Sequence, residues 1–307
     1  MIKSKKIFMT MMLTMTLLLS GCSLPGLSGS SEDSISVGTV VTSESQIVGQ
    51  IIKQLIEEET DLSVNMVNNL GSSIVLHQAM VSNDVDISAT RYTGTDIAGP
   101  LGMEPVLDPD KAMEVVQEEF DEKFNQKWYD SYGFENSYAF TVTDELAEAE
   151  DLETVSDLEA LANEINFGVD TSWLNREGDG YDGFVETYGF DFSNVYPMQI
   201  GLVYQAAASG EMDVVLAYTT DGRIKAFNLK VLEDDKNFFP PYDSSTVASK
   251  EILEKYPELD PLLERLVGKI STEKMQELNY AADGELREPA IIAEEFLEEN
   301  NYFRDKE

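Results

Sequence analysis

One cysteine and one histidine among 307 residues close off much of reaction chemistry. A single thiol, Cys22, cannot form a disulfide within the chain. With only His77, Ser-His-Asp and Cys-His catalysis would rest on one imidazole, and zinc would need an unusual carboxylate set. His77 lies among Ile74, Val75, Leu76 and Met80, where a packed or half-exposed helix residue is the plain expectation. Positive charge is scarce too: 21 Lys and Arg stand against 58 Asp and Glu, a formal net charge of -37. Phosphate backbones would repel such a chain, so nucleic acid is excluded as a partner. No GxGxxG, P-loop or D-x-D-x-D-G pattern occurs, so no cofactor and no metal are expected. What remains is an acidic, heavily solvated surface around a hydrophobic content, 42%, ample for a core.

The N-terminus accounts for the cysteine. Lys3, Lys5 and Lys6 precede an apolar run, Ile7 to Leu19, too short to span a membrane comfortably. It ends in Leu19-Ser20-Gly21-Cys22, which resembles a bacterial lipobox. The expectation is a signal peptide over 1–21, a lipid anchor on Cys22, and a Ser/Gly-rich tether over 22–33. An ordinary signal peptide with a chance cysteine is the simpler alternative. The lipidated protein would sit on the outer face of the cytoplasmic membrane.

Beyond the tether, strand and helix patterns alternate. Ile35 to Gly38 reads as a buried strand, followed by a helix with Ile47, Ile51, Leu55 and Ile56 on one face and Ser43/Gln46 as its capping box. Leu62 to Val67 reads as a strand, and a helix runs to about Val81. Asp108 and Pro109 start a helix expected to reach Trp128. Ser137 to Thr143 alternates like an extended crossover, and Ser156/Glu159 make a further capping box. Strands follow at Ile165 to Val169 and Val195 to Gln199, with a polar loop over 170–181 and a helix over 201–209. Leu229 to Glu233 crosses back, and the remainder is helical from Ser249 onward. This order fits an α/β protein of two lobes, the first built from both chain ends.

One stretch stands out. Asp86 to Asp96 (DISATRYTGTD) reads as a strand running into a polar loop, and Asp213 to Asp221 (DVVLAYTTD) echoes it. Both contain Tyr-Thr and then Asp, which points to two half-sites holding a ligand between lobes. Tyr92, Tyr138, Tyr218 and Tyr242 each occupy a strand end or a stiff loop, the last in Phe238-Phe239-Pro240-Pro241-Tyr242. Several aromatic faces around one point can hold a cation, a quaternary ammonium above all, at about 0.5–2 kcal/mol per ring. By pattern alone, any one of these tyrosines is more often core than cage, and composition does not choose four out of thirteen.

RYTGTD over 91–96, SWLNREGDGY over 172–181, AYTTDGRI over 217–224 and the FFPPY loop, together with the lipobox, resemble the osmoprotectant-binding lipoproteins of ABC importers. The resemblance covers nearly all of the chain beyond the signal. It implies a type II periplasmic-binding-protein fold: lobe I from 34–135 and 234–307, lobe II from 136–233, joined by two crossover strands. It implies capture, without catalysis, of glycine betaine, carnitine, choline or similar solutes for a membrane permease and ATPase. Tyr92, Tyr138, Tyr218 and Tyr242 match the family's aromatic box, and Thr95 a position facing the ligand's tail, where threonine resembles the broader-range members. Arg176 matches an arginine that meets a carboxylate, a role its planar fork suits; a lobe-closing salt bridge is the alternative. Val40 stands where relatives often place a polar or cationic contact, which leaves backbone N–H groups or Gln46 to take that role. A same-fold receptor for another solute, such as an amino acid, and an extracellular two-carboxylate hydrolase are the rival readings.

Overall fold

The computed structural model describes residues 34–175 and 180–302. The expectations for residues 1–33, including Cys22, and for Arg176 lie outside the described residues. Two five-stranded sheets, each with its own hydrophobic core, make a two-lobe α/β protein.

The first sheet has the order β2-β1-β3-β10-β4. It comprises β1 (Ser34–Val40), β2 (Ser63–Leu70), β3 (Ile87–Tyr92), β4 (Gln126–Trp128) and, from far along the chain, β10 (Ser244–Ser249). β1 and β3 run parallel, while β10 is antiparallel to β3 and β4. Its helices are α1 (Ser43–Glu59), α2 (Ser73–Val81), α3 (Thr93–Ala98) and α4 (Pro109–Phe124). Ile47, Val48, Ile51, Ile52, Leu55 and Ile56 of α1 are wholly buried. Each contributes about 1.5–3 kcal/mol on burial, which makes α1 the backbone of this core.

The second sheet repeats the plan, with the order β7-β6-β8-β5-β9. Its strands are β5 (Tyr138–Thr143), β6 (Asn166–Asp170), β7 (Asn194–Met198), β8 (Val214–Tyr218) and β9 (Leu229–Val231). β6 pairs parallel with β7 and β8, and β5 is antiparallel to β8 and β9. The helices here are α5 (Asp144–Glu150), α6 (Thr171–Leu174), α7 (Tyr181–Tyr188), α8 (Ile200–Ala208) and α9 (Gly222–Ala226). The chain then returns to the first core through α10 (Lys250–Lys255), α11 (Leu259–Glu264), α12 (Thr272–Asp283) and α13 (Pro289–Glu299). Among the described residues no helix is long and apolar enough to cross a membrane.

Several local expectations are corrected. The first helix is capped by Thr42, whose hydroxyl accepts the Ser45 N–H, so Ser43 is already helical. The box expected at Ser156/Glu159 sits two residues earlier, at Thr154 and Asp157. The helix expected to reach Trp128 stops at Phe124, because Asn125 turns left-handed (φ 55°) and the chain becomes β4. The presumed polar loop after Tyr92 is a short helix, and so is the start of the 170–181 loop. Ser137 to Thr143, read as an extended strand, joins the second sheet as β5, and β10 had no counterpart in the pattern.

Candidate functional site: two tyrosine pairs at facing strand ends

The two Tyr-Thr stretches share a geometry as well as a spelling. At the start of each, an aspartate ties its strand to the first parallel strand of its lobe. Asp86 Oδ2 accepts the Ser36 N–H at 2.7 Å, and the Asp86 N–H donates back to the Ser36 carbonyl at 3.0 Å. Asp213 Oδ2 accepts the Asn166 N–H at 2.7 Å and returns its own N–H to the Asn166 carbonyl at 3.0 Å. At the end of each, the tyrosine closes the strand and an Asp–Arg pair locks the turn beyond it. Arg91, fully buried, forks onto Asp96 and lies 5.3 Å from the Phe120 ring centre. Asp221 caps α9 at the Arg223 N–H and takes the Arg223 guanidinium at 2.8 and 2.6 Å, while Arg223 covers the Tyr204 ring at 4.1 Å. Breaking the buried Arg91–Asp96 pair would strand a charge in the core, at about 3–5 kcal/mol.

The tyrosines are set out as two pairs. Tyr138 and Tyr218 are direct partners across β5 and β8, with ring centres 4.9 Å apart and the Tyr218 hydroxyl 3.3 Å from that of Tyr138. Trp173 and Phe239 lie behind Tyr138 at 6.5 and 6.2 Å, and the Tyr204 hydroxyl accepts the Tyr218 N–H at 3.0 Å. In the first lobe, Tyr92 and Tyr242 are joined through Gly94. The Gly94 N–H and Thr93 hydroxyl both donate to the Pro241 carbonyl, at 3.0 and 2.8 Å. A side chain at Gly94 would strike that carbonyl and the Tyr242 ring, at 2.8 and 3.0 Å, so glycine permits the approach. Thr95 follows on α3, half-buried. Phe238 and Phe239 of the proline loop belong to the second core, so this loop spans from one lobe's packing to the other's tyrosine.

Two cavities border these rings, about 340 Å³ beside Tyr138 and about 300 Å³ beside Tyr218. The second is also lined by Thr220 of the echoed stretch and by Glu44, Asn136 and Asn279, which the sequence pattern did not single out. Glu44 accepts a hydrogen bond from the Tyr92 hydroxyl, and burial pushes its carboxyl up from the usual range. Burial and the Glu44 charge raise the Tyr92 phenol well above its ordinary value, so the proton stays on the phenol. Val40 does not face this site. It packs with Leu76, Met80 and Ile97, and its N–H donates to Ser45 Oγ at 3.1 Å. Gln46 is held by the Val41 carbonyl and Asn69. His77 packs edge-on against Phe124 and Phe120, as a core residue.

Aromatic faces, hydroxyls and a buried carboxylate favour a cation that donates no strong hydrogen bonds; among the described residues no group of His, Cys, Asp and Glu is placed to hold a metal ion. The chain matches the family model for the substrate-binding domain of an ABC-type glycine betaine transport system over residues 33–299. It is 57% identical to the carnitine transport binding protein OpuCC of Listeria monocytogenes, over 98% of this chain and 97% of that one. An ergothioneine transport permease/ergothioneine binding protein, EgtU of Helicobacter pylori, is 34% identical over 87% of this chain and 48% of its own length. A crystal structure of a glycine betaine/carnitine/choline ABC transporter component superimposes with a TM-score of 0.86 at 52% identity, covering 88% of this chain and 99% of that one. The repeated sheet order, the paired tyrosines and these likenesses agree: the chain belongs to the family of substrate-binding domains of ABC-type glycine betaine transport systems, which are binding proteins and not enzymes.

Proposed function

We propose that this protein is an extracytoplasmic solute receptor that captures quaternary-ammonium compatible solutes, such as carnitine, glycine betaine and choline, and delivers them to an ABC permease and its ATPase for osmoprotection. The cage is Tyr92, Tyr138, Tyr218 and Tyr242, with Thr95 tuning the range of ligand tails and Arg176 meeting a carboxylate. The observation that carries the reading is the Tyr138–Tyr218 pair, two rings at 4.9 Å on neighbouring strands, with Tyr92 closing the echoed strand β3 of the other sheet. The lobes are taken as 34–135 with 234–307, and 136–233; closing them around the solute would present the liganded form to the permease. Cys22 carries the lipid that keeps the receptor at the membrane surface.

Titration calorimetry with carnitine and glycine betaine tests the cage. Tyr92→Ala and Tyr218→Ala are expected to lose most of the affinity while circular dichroism shows the fold intact. Normal binding by both variants would sink the assignment. A second reading, a receptor for a bulkier betaine, is favoured by the 34% identity to an ergothioneine-binding protein, since ergothioneine also bears a trimethylammonium group. Adding ergothioneine to the titrations decides between the two.

A further inference from the structure

Glu44 is the second residue of α1, only 3% exposed, and it has collected donors from four separate parts of the chain. Oε1 accepts from the Tyr92 hydroxyl at the end of β3 and from Asn136 Nδ2 at 3.3 Å, just before β5. Oε2 accepts from Asn279 Nδ2 of α12 at 3.4 Å, and the Thr220 side chain beyond β8 also hydrogen-bonds the carboxylate. All four donors are neutral, so hydrogen bonds and the positive end of α1 oppose the burial of this carboxylate without cancelling it, and no counter-cation is among them. A glutamine would keep one acceptor oxygen for some of these donors and set an NH2 against the others. What glutamine cannot do is draw on the Tyr92 phenol as an anion does. A phenol donating to a carboxylate makes a charge-assisted bond and passes negative charge onto its own ring. That deepens the quadrupole of the face a cation would meet.

We propose that Glu44 is a positioning residue of the tyrosine cage: it holds Tyr92 by its hydroxyl and makes that ring a stronger partner for a quaternary ammonium. The proposal rests on the cage reading above. It also explains why an acid lies beside Tyr92 and lines a cavity with Tyr218. Asn136 and Asn279 keep the carboxylate aimed at the phenol, and Asn279 ties α12 to the Thr220 carbonyl at 2.9 Å, so the support does not depend on the solute.

The test is a double-mutant cycle read by calorimetry with choline and glycine betaine, using the full chain as wild type, Glu44→Gln, Tyr92→Phe and both together. Phenylalanine keeps the ring and loses only the hydroxyl. Each single change is expected to weaken choline binding about fivefold to tenfold, within what one ring contributes. The double variant should lose no more than the larger single loss, because both act through one hydrogen bond. The near-ultraviolet tyrosine band should shift to the blue in Glu44→Gln, and that shift should vanish in the Tyr92→Phe background. Losses that add, or wild-type binding by Glu44→Gln, overturn the proposal. If Glu44→Gln does not fold, Tyr92→Phe decides alone, and unchanged binding overturns the proposal. Tyr92→Ala in the same series separates the two readings: normal binding there fails the cage itself, whereas a loss there with a silent Tyr92→Phe fails only the role of Glu44.

Discussion

His77 is 9% exposed, with ring centres of Phe124 and Phe120 at 4.6 and 5.7 Å and Nδ1 without a hydrogen-bond partner. Burial, with the Arg91 charge behind it, lowers its pKa to about 4. The unfolded chain therefore binds this proton between pH 6.5 and 4 and the folded one does not, so stability is full above 6.5 and is lost as pH falls toward 4. Between pH 7 and pH 5 the loss is about 2 kcal/mol. The carboxyls of Glu44 and Asp243, raised by burial, act in the opposite sense in acid, so the useful quantity is a difference between variants. His77→Leu, followed by urea denaturation at the two pH values, should lose about 2 kcal/mol less than wild type over that interval. Equal losses would show that the imidazole takes up its proton as readily in the folded protein as in the unfolded chain. Residue-scale legibility was uneven for a similar reason. Tyr92 and Tyr218 could be found because they recur at strand ends, but Glu44 lies 48 residues from the phenol it holds. No local pattern marks a partner brought in by tertiary folding. Arg91 and Asp96 were visible within one motif, yet their burial was not, since charge in a sequence reads as surface.

Between elements, the contact most sensitive to a single methyl is that of α9 with α12. Gly222 opens α9, and a Cβ there would lie 2.4 Å from the Tyr280 nitrogen and 2.5 Å from its Cα. Both are backbone atoms, so relief requires the helices to part. The bonds from Gln276 and Asn279 to the Thr219 and Thr220 carbonyls, 2.7 and 2.9 Å, would then lengthen. Gly222→Ala is expected to cost about 1–3 kcal/mol in thermal denaturation, the usual range for overpacking. Because Thr219 follows Tyr218 directly, solute affinity should fall with it; unchanged stability would mean that α9 is not pressed on α12. The elements that were legible are those with strong periodicity, such as α1 and β8. Ser244–Ser249 was not legible because Ser-Ser-Thr-Val-Ala-Ser has no run of large apolar residues, although it is the antiparallel strand beside β3. Small side chains there let both faces be covered, and their polarity reads as loop. At the end of α4 the apolar spacing carries on to Trp128, and only Asn125, suited to a left-handed turn, marked the break.

For the molecule as a whole, the repeat of strand and helix gave two lobes, and the sheets have matching order around an inserted antiparallel strand, β10 in one and β5 in the other. Which strands pair across 100 residues of chain was beyond reach, because sequence spacing carries no information on crossover. Net charge acts at this scale. With -37 formal charges the field around the protein attracts cations and repels anions over the Debye length, about 10 Å at 0.1 M salt and about 3 Å at 1 M. Choline carries a net positive charge and glycine betaine none, although both present the same trimethylammonium group to the tyrosines. Stopped-flow measurement of tyrosine and tryptophan emission on mixing should therefore give an association rate for choline that falls several-fold between 0.02 and 0.5 M salt, by about the steering expected of a strongly charged surface. The rate for glycine betaine should change little, since its own charges cancel at distance. The dissociation rates of both should hold steady, because the rings, and not the distant acids, retain the bound solute. If the two association rates fell together, the acidic surface would not steer solutes, and its excess charge would serve solvation alone.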